Sequence, residues 1–495
     1  MILKLTQSLL AATCLAYASE AFAPSHTATQ GIALSKLGSV ATAVDEAAIT
    51  DSSSDVISEK KVIAPSAGLN ENHLFKCDDS VEYWRDFQRD GFKSPQENLI
   101  EISNISRRFI TSQERDAVSY WIKHVGRSSY FFGNAALGSI ASGLHERFVA
   151  NNSNSDSKGT VLPFNINSSI ATRLLLEAFL CYEQDYKQIS KGSYLQPWDM
   201  ELNHRQSSPM NVVTQTGRFV NEAIGTLARR NRQTQEDKEI WISDETSPAL
   251  YPDYYRTAFH YQTDGWMSAD SANVYETSTE TLFLGRQDAM QRTSLAPLVE
   301  YSKTRKDKSK LKVLEVACGT GRFMTFVRDN LPLDTECTAV DLSPFYLDKS
   351  RDNDAYWRKT RRRADNLGKD DIKPLRLVQA NAENLPFEDE SFDAVVCVYL
   401  YHELPREARA KVSAEMSRVL KKDGLLVLTD SIQRGDRPIL DANIGNFEKM
   451  NEPYYVDYTQ DDLPAYFMKE GLKPMEKTVR STTKSLTFIK IGDSI

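Results

Sequence analysis

The sequence holds little that would build an extracellular scaffold, a metal centre or a nucleic-acid coat. Its 6 cysteines include no Cys-x-x-Cys pair and no regular spacing, so a disulfide framework is excluded. Its 7 histidines are scattered. His124, His145 and His204 have no companion at metal-ligand spacing, and packing or surface roles outweigh ligation, so no metal is expected. The 60 lysines and arginines are outnumbered by 68 aspartates and glutamates, a net charge of -8. That balance lacks the cation excess a general nucleic-acid binder needs to displace counterions from phosphates. No apolar run beyond the first residues reaches membrane-spanning length; the longest, around Tyr130 to Leu144, is interrupted by glycines. What is present, 41% hydrophobic and 26% charged residues in a 495-residue chain, is the composition of an ordinary globular protein of more than one unit.

The first residues read as an address. Lys4 supplies a positive start, Leu9 to Ala18 a short apolar core, and Ala18 to Ala21 a small-residue cleavage site, the pattern of a signal peptide over 1–21. The following Ala21-Phe22-Ala23-Pro24 resembles the phenylalanine-led junction of bipartite leaders in algae with secondary plastids. Ser25 to Val44, rich in Ser, Thr and Ala and free of Asp and Glu, suits a transit peptide, although Arg is also missing. The expectation is a plastid destination, with secretion as the alternative, and a transit peptide and disordered spacer over 22–72. The five cysteines beyond the leader, Cys77, Cys181, Cys318, Cys337 and Cys397, suit reduced thiols in a stroma.

Residues 73–300 read as mainly α-helical. Ile105 to Val125 carries Phe109, Ala117, Tyr120, Trp121 and Val125 at mostly helical spacing, with Thr111 or Ser112 able to cap a second segment. Asn151 to Gly159 is a polar loop or boundary, and Ser168 to Ile189 is a strongly amphipathic helix. Met210 to Arg230 reads as another helix. The segment 251–300 is dense in polar aromatics and precedes a sheet, so it serves either as a lid offering ring faces to a cation or as a plain interdomain contact.

From Leu311 the pattern changes to alternating strand and helix over 301–495. Strands are predicted at Lys312 to Ala317, Glu336 to Asp341, Leu375 to Gln379, Ala394 to Tyr399, Leu425 to Thr429, Glu476 to Arg480 and Ser485 to Ile491. The last two read as an antiparallel hairpin after a helix ending at Gly471. The fold class is therefore α/β, an open, Rossmann-like, mostly parallel seven-strand sheet at the C-terminus behind a helical N-terminal region. The first strand runs into Gly319-Thr320-Gly321, where missing side chains let a ligand approach the backbone. Asp341, at the end of the second strand, stands where an acidic residue takes two ribose hydroxyls. A third glycine is absent from the helix start, so a dinucleotide pyrophosphate is poorly served.

Three later stretches follow in order: Asn381 to Phe387, Ser391 to Val396 and Arg418 to Gly424. Together with Lys312 to Phe323 this set resembles class I S-adenosylmethionine-dependent methyltransferases, closest to the ubiquinone and menaquinone C-methyltransferase (type 11) group, over roughly Tyr275 to Thr429. Ala272 to Glu276 is similar to that family's lid motif. The resemblance implies S-adenosylmethionine as cofactor, with Glu315, Ala317 and Gly319 at its methionine end and Asp341 on the ribose. Cys318, Thr320, Gly321 and Leu342 would complete that wall, Asn381, Ala382 and Glu383 would border the adenine, Tyr275 would close the methionyl side, and Val398 or Tyr399 would lie under the sulfonium. Asn381 replaces the family's usual Asp, leaving an amide that hydrogen-bonds without carrying charge. Ala317 for Gly is a frequent variant of the quinone-methylating branch.

His402 follows the fourth predicted strand, placed to accept a proton from a phenol or acidic carbon, with Glu403 to orient it; the alternative is a capping or packing role. The catalytic candidates are His402 and Tyr399. The expected partner is a small, aromatic or prenylated acceptor, with no DNA and at most peripheral membrane contact. Two other readings stand beside it. One is a non-catalytic binding protein that keeps the cofactor fold; the other is RNA or protein methylation. The basic run Arg358 to Arg363 suits RNA but reads better as a solvated helix face, and no Asn-Pro-Pro-Tyr run marks amino-group methylation.

Overall fold

The structure is a computed structural model that describes residues 71–150, 168–201, 204–232, 250–256, 258–307, 309–368, 371–444 and 451–491. The leader and the polar stretch Asn151 to Gly159 lie outside the described residues. Gly68–Ile495 forms a single compact unit.

The helical region is built on local signals, the first of them one not anticipated from the sequence. Ser94 caps Pro95–Ile110 in a reciprocal box with Glu97, and Pro95 occupies the first turn, where its missing N–H costs nothing. The chain then breaks and restarts at Arg115–Ala150. Ser168–Ser190 and Pro209–Arg232 follow as the two further long helices. The run to Glu300 is helical in pieces. Ala269–Leu282 stops where Leu284 and Gly285 turn left-handed, and Gln287–Gln291 and Leu295–Thr304 resume behind it.

The sheet has eight strands: β1 Lys76–Cys77, β2 Lys312–Val316, β3 Glu336–Asp341, β4 Arg376–Gln379, β5 Phe392–Val398, β6 Leu420–Ser431, β7 Leu472–Arg480 and β8 Thr483–Lys490. Their spatial order is β1-β7-β8-β6-β5-β2-β3-β4. β2 to β6 pair in parallel, and the hairpin β7–β8 joins β6 antiparallel. The eighth strand corrects the expected seven. β1 comes from the N-terminal region and pairs with β7, Lys76 opposite Glu476 and Cys77 opposite Lys477. Two residues carry no periodicity, which is why the sequence does not show it.

Both faces of the sheet are covered, so its central strands are mostly apolar, with Glu315 in β2 and Asp393 in β5 among the buried exceptions. Leu314, Val316, Val395, Cys397, Leu426 and Leu428 pack into one core, and Val313, Ala394, Val396, Leu425 and Val427 into the other. This is the alternation a strand imposes. β2 has β3 on one side and β5 on the other, so the order reverses there and opens a crevice beyond the carboxyl ends. The five described cysteines are unpaired thiols, and among the described residues no helix is long and apolar enough to cross a membrane.

Buried ion pairs join helices to sheet. Asp185, fully buried in Ser168–Ser190, accepts hydrogen bonds from Arg292 (2.5 Å), Tyr120 (2.6 Å), Tyr194 (2.7 Å) and Arg480 (3.2 Å), the last at the end of β7. Asp185→Ala would strand two buried guanidinium groups, so a loss of about 3–5 kcal/mol is expected in urea unfolding followed by circular dichroism.

Candidate active site

The site forms where β2 ends. Ala317, Gly319 and Gly321 all adopt positive φ, at 57°, 53° and 69°, so every second residue turns left-handed and the chain wraps into a cradle. The Cys318 N–H donates to the Val340 carbonyl (2.9 Å) and the Gly319 N–H to Asp341 Oδ2 (2.8 Å), which fastens the cradle to the end of β3. Asp341 Oδ1 accepts the Ser343 N–H at 2.8 Å. Burial pushes the Asp341 carboxyl up to about 6 even though these backbone donors favour its charged form. Beneath the turn, Glu315 is buried at 2% exposure, and its Oε2 has no hydrogen-bond partner among the described residues. Burial, and then the nearby Asp341, push its carboxyl well above the usual carboxylate range.

A cavity with about 110 Å³ of free space opens against this cradle. Its walls include Ala317, Gly319, Asp341, Leu342, Asn381 and Ala382 from the strand ends, together with Tyr275 and Tyr399. Eight residues expected at the cofactor or catalytic site from sequence thus share one cavity. Cys318, Thr320, Gly321 and Val398 support it from behind as buried or turn-forming neighbours rather than as walls. Glu383 is not a wall residue either. Its carboxylate accepts from Tyr254 Oη at 2.7 Å and from Lys411 Nζ at 3.0 Å.

The aromatic segment before the sheet lies over the cavity as a roof. Tyr254, Tyr255, Phe259, Trp266 and Tyr275 all face it. Trp266, Tyr275 and Tyr346 meet edge-to-face with centroids 5.4–5.7 Å apart. Ser343, which caps the helix Pro344–Ala364 through the Tyr346 N–H, also donates to the Trp266 carbonyl, so one side chain fixes a helix start and the roof together.

Beyond β5 the chain turns sharply at Tyr399, whose φ is 56°, into the short helix Tyr401–Glu403. Asp430, near the end of β6, holds this turn: it accepts the Leu400 and Tyr401 N–H groups at 3.1 and 2.7 Å and lies 2.6 Å from His402 Nδ1. Burial alone would lower the imidazole, but the Asp430 carboxylate overrides it and raises His402 to about 10. The imidazolium form of His402 is thus favoured by the Asp430 carboxylate, which works against a role as proton acceptor. Its orienting partner is Asp430. Glu403, expected to orient it, sits 3.7 Å from Nε2 and faces the cavity instead. The Tyr399 hydroxyl is taken up by Thr483 at 2.5 Å. Asp430, Glu452 and His260 were not anticipated. A carboxylate at the carboxyl end of a strand is a readable signal for Asp430. Glu452 and His260, 3.0 Å apart but out of hydrogen-bond alignment, carry none.

Residues 314–428 match the family model of a methyltransferase domain. The chain is 33% identical over 167 residues to the "Ubiquinone/menaquinone biosynthesis C-methyltransferase UbiE" of Pasteurella multocida, covering 33% of this chain and 55% of that one. It is 30% identical over 164 residues to the demethylmenaquinone methyltransferase of Deinococcus radiodurans, covering 33% and 58%. The uncharacterized methyltransferase YcgJ of Bacillus subtilis is 28% identical over 31% of this chain and 53% of its own. The crystal structure of YcgJ aligns at 19% identity over 41% of this chain and 99% of that one, with a TM-score of 0.29. The chain spans about half the length of the first curated relatives it matches.

A Cβ on Gly321 would stand 2.9 Å from Ser350 Cβ in a left-handed conformation. Gly321→Ala is expected to lower stability by at least about 1–2 kcal/mol. Ala317→Gly, which relieves a left-handed residue with a side chain, is expected not to lower it; thermal unfolding of both variants checks the pair.

Proposed function

We propose that this protein transfers a methyl group from S-adenosylmethionine to a small acceptor that is aromatic or prenylated. The observation that carries the reading is the cradle at the reversal of strand order, with Gly319 and Asp341 locked together by a hydrogen bond beside the cavity. The residues present fit the cofactor. Asp341 stands where two ribose hydroxyls can donate to it, and Asn381 and Ala382 offer an amide and a small face beside an adenine. Glu315 is not a wall of the cavity, but the strand that ends in the cradle carries its buried carboxyl oxygen without a partner behind that wall. The ring faces of Tyr275, Trp266 and Phe259 suit a sulfonium cation. When bound, S-adenosylmethionine supplies a methyl group that its sulfonium already makes electrophilic.

The work left to the chain is alignment and exclusion of water. A free space of about 110 Å³ is below the ~300–1,000 Å³ of usual ligand sites. The aromatic roof narrows this space and keeps water out of it. Its closing contacts reach the strand ends directly: Tyr254 on Glu383, and Gln379 Nε2 on Tyr251 Oη at 2.9 Å. A roof of this kind suits an acceptor small enough to be enclosed better than a folded protein or an RNA strand.

Calorimetry with S-adenosylmethionine tests the reading: wild type binds and Asp341→Ala loses most of the affinity, whereas unchanged binding in the variant contradicts it. Affinity should fall as pH drops through about 6, because Asp341 must be ionised to accept both hydroxyls. Labelled cofactor incubated with fractionated plastid extract should pass label to lipid or small-molecule fractions; label in RNA or protein alone would overturn the acceptor class.

A further inference from the structure

Glu403 is a carboxyl on the cavity wall without a hydrogen-bond partner among the described residues. It sits on the last residue of the turn Tyr401–Glu403, lines the cavity, and keeps 15% of its side chain exposed there. Its side-chain contact among the described residues is the 3.7 Å approach to His402 Nε2, too long for a hydrogen bond. Glu383 holds Tyr254 and Lys411, and Asp430 holds His402 with three further backbone donors. Asp341, the other acidic wall residue, accepts two backbone N–H groups and is assigned to the ribose, and Glu452 keeps an oxygen without a partner but does not line the cavity. A carboxyl that faces the cavity without hydrogen-bond partners has lone pairs available to a ligand.

We propose that Glu403 is the proton acceptor of the site and that the acceptor molecule bears an aromatic hydroxyl whose proton it takes. This rests on the methyl-transfer reading. The acceptor's O–H bond breaks and its proton goes to a carboxylate oxygen of Glu403. The electron pair left behind, on oxygen or delocalised into the ring, forms the bond to the methyl carbon. The sulfonium C–S bond breaks with its pair going to sulfur, giving the thioether, so charge and atoms balance. His402, held cationic by Asp430, is the positive charge beside the carboxylate.

The groups facing Glu403 set when it is ionised. Burial raises it to about 8; His402 opposes the rise, and Glu452, Asp430 and Asp341 add to it. Tyr275 and Tyr346, from the roof helix and the helix after β3, also face it. His260, whose own imidazole is lowered to about 4 by burial and by His402, stays neutral. A carboxyl raised this far lies close to an ordinary phenol, near 10, so a hydroxyl proton moves to it with little penalty, whereas an unperturbed glutamate near 4.3 would be a poor match. With its pKa raised to about 8, the carboxylate fraction of Glu403, and with it the capacity to take a proton, grows as pH rises through that value.

The test uses a hydrophobic carbodiimide, which reacts with protonated carboxyls in apolar surroundings, on the folded full-length protein between pH 6 and 9, with the adduct located by peptide mass spectrometry. The expected result is a Glu403 adduct that fades through about pH 8 and is suppressed by S-adenosylhomocysteine or by 2-naphthol. A Glu403 that does not react, or one whose reaction ignores both probes and pH, overturns the proposal. In the extract assay, Glu403→Gln should transfer label roughly hundredfold more slowly while keeping its affinity for S-adenosylhomocysteine. Wild-type turnover in that variant would also overturn it. Loss of S-adenosylhomocysteine binding by the wild type would instead count against methyl transfer itself, so the two failures are separable.

Discussion

Arg322 holds the site and the helical region in one piece. It is the first residue of the helix that leaves the glycine turn, and its guanidinium is clamped between Asp288 and Asp199, both from the region N-terminal to the sheet. Asp288 is shared with Arg127 at 2.7 Å, and Arg127 also reaches Glu280 at 2.6 Å, in the roof helix Ala269–Leu282. Glu276, next to the cavity residue Tyr275, stands 4.0 Å from Arg322. The cradle, the roof and a helix from the far N-terminal region therefore meet at one buried cluster of charge. Against burial, the two guanidinium groups hold the Asp288 carboxyl well below the usual carboxylate range.

Such a cluster adds little net stability, because desolvating the charges offsets most of their attraction. Its effect is on geometry. An arginine fork paired to fixed carboxylates has few alternative arrangements, so the cradle cannot drift relative to the roof. The same device recurs at Asp185, and again where Arg437 pairs with Glu177 at 2.9 Å. At the sheet edge Lys477 and Lys484 reach Glu71, at 2.8 and 2.6 Å, and so secure the segment that supplies β1. The helices around the sheet are thus part of the same body as the site. Their role is to bury the back of the cradle and to aim the roof.

Much of this was legible in the sequence for a definite reason. Strands buried on both faces become mainly apolar, β-branched runs, so β2, β3 and β5 could be read within one or two residues of their observed ends. The glycine turn was readable because close backbone approach needs residues without side chains, and Asp341 because it is the carboxylate that ends a strand. Where strand contacts supply the information, the sequence is quiet. β1 exists only because β7 offers an edge beside it. The assignment between His402 and Glu403 illustrates the same limit. The two are adjacent on one turn, and nothing local says which side chain looks into the cavity. Asp430, 28 residues later, decides it by taking the imidazole.

The acidic groups around the cavity explain one another. Asp341, Glu315, Glu403 and Glu452 are all pushed up by burial, and each raises or is raised by a neighbour in that group or by Asp430. The His402 imidazolium alone, paired with Asp430, does not neutralise them. A site this short of positive charge favours a cationic ligand, since each carboxylate that ionises beside a bound cation recovers part of the Coulomb energy that burial withholds. A cation entering beside Glu403 would make its carboxylate form easier to reach, so that binding of such a ligand and proton-accepting capacity would rise together.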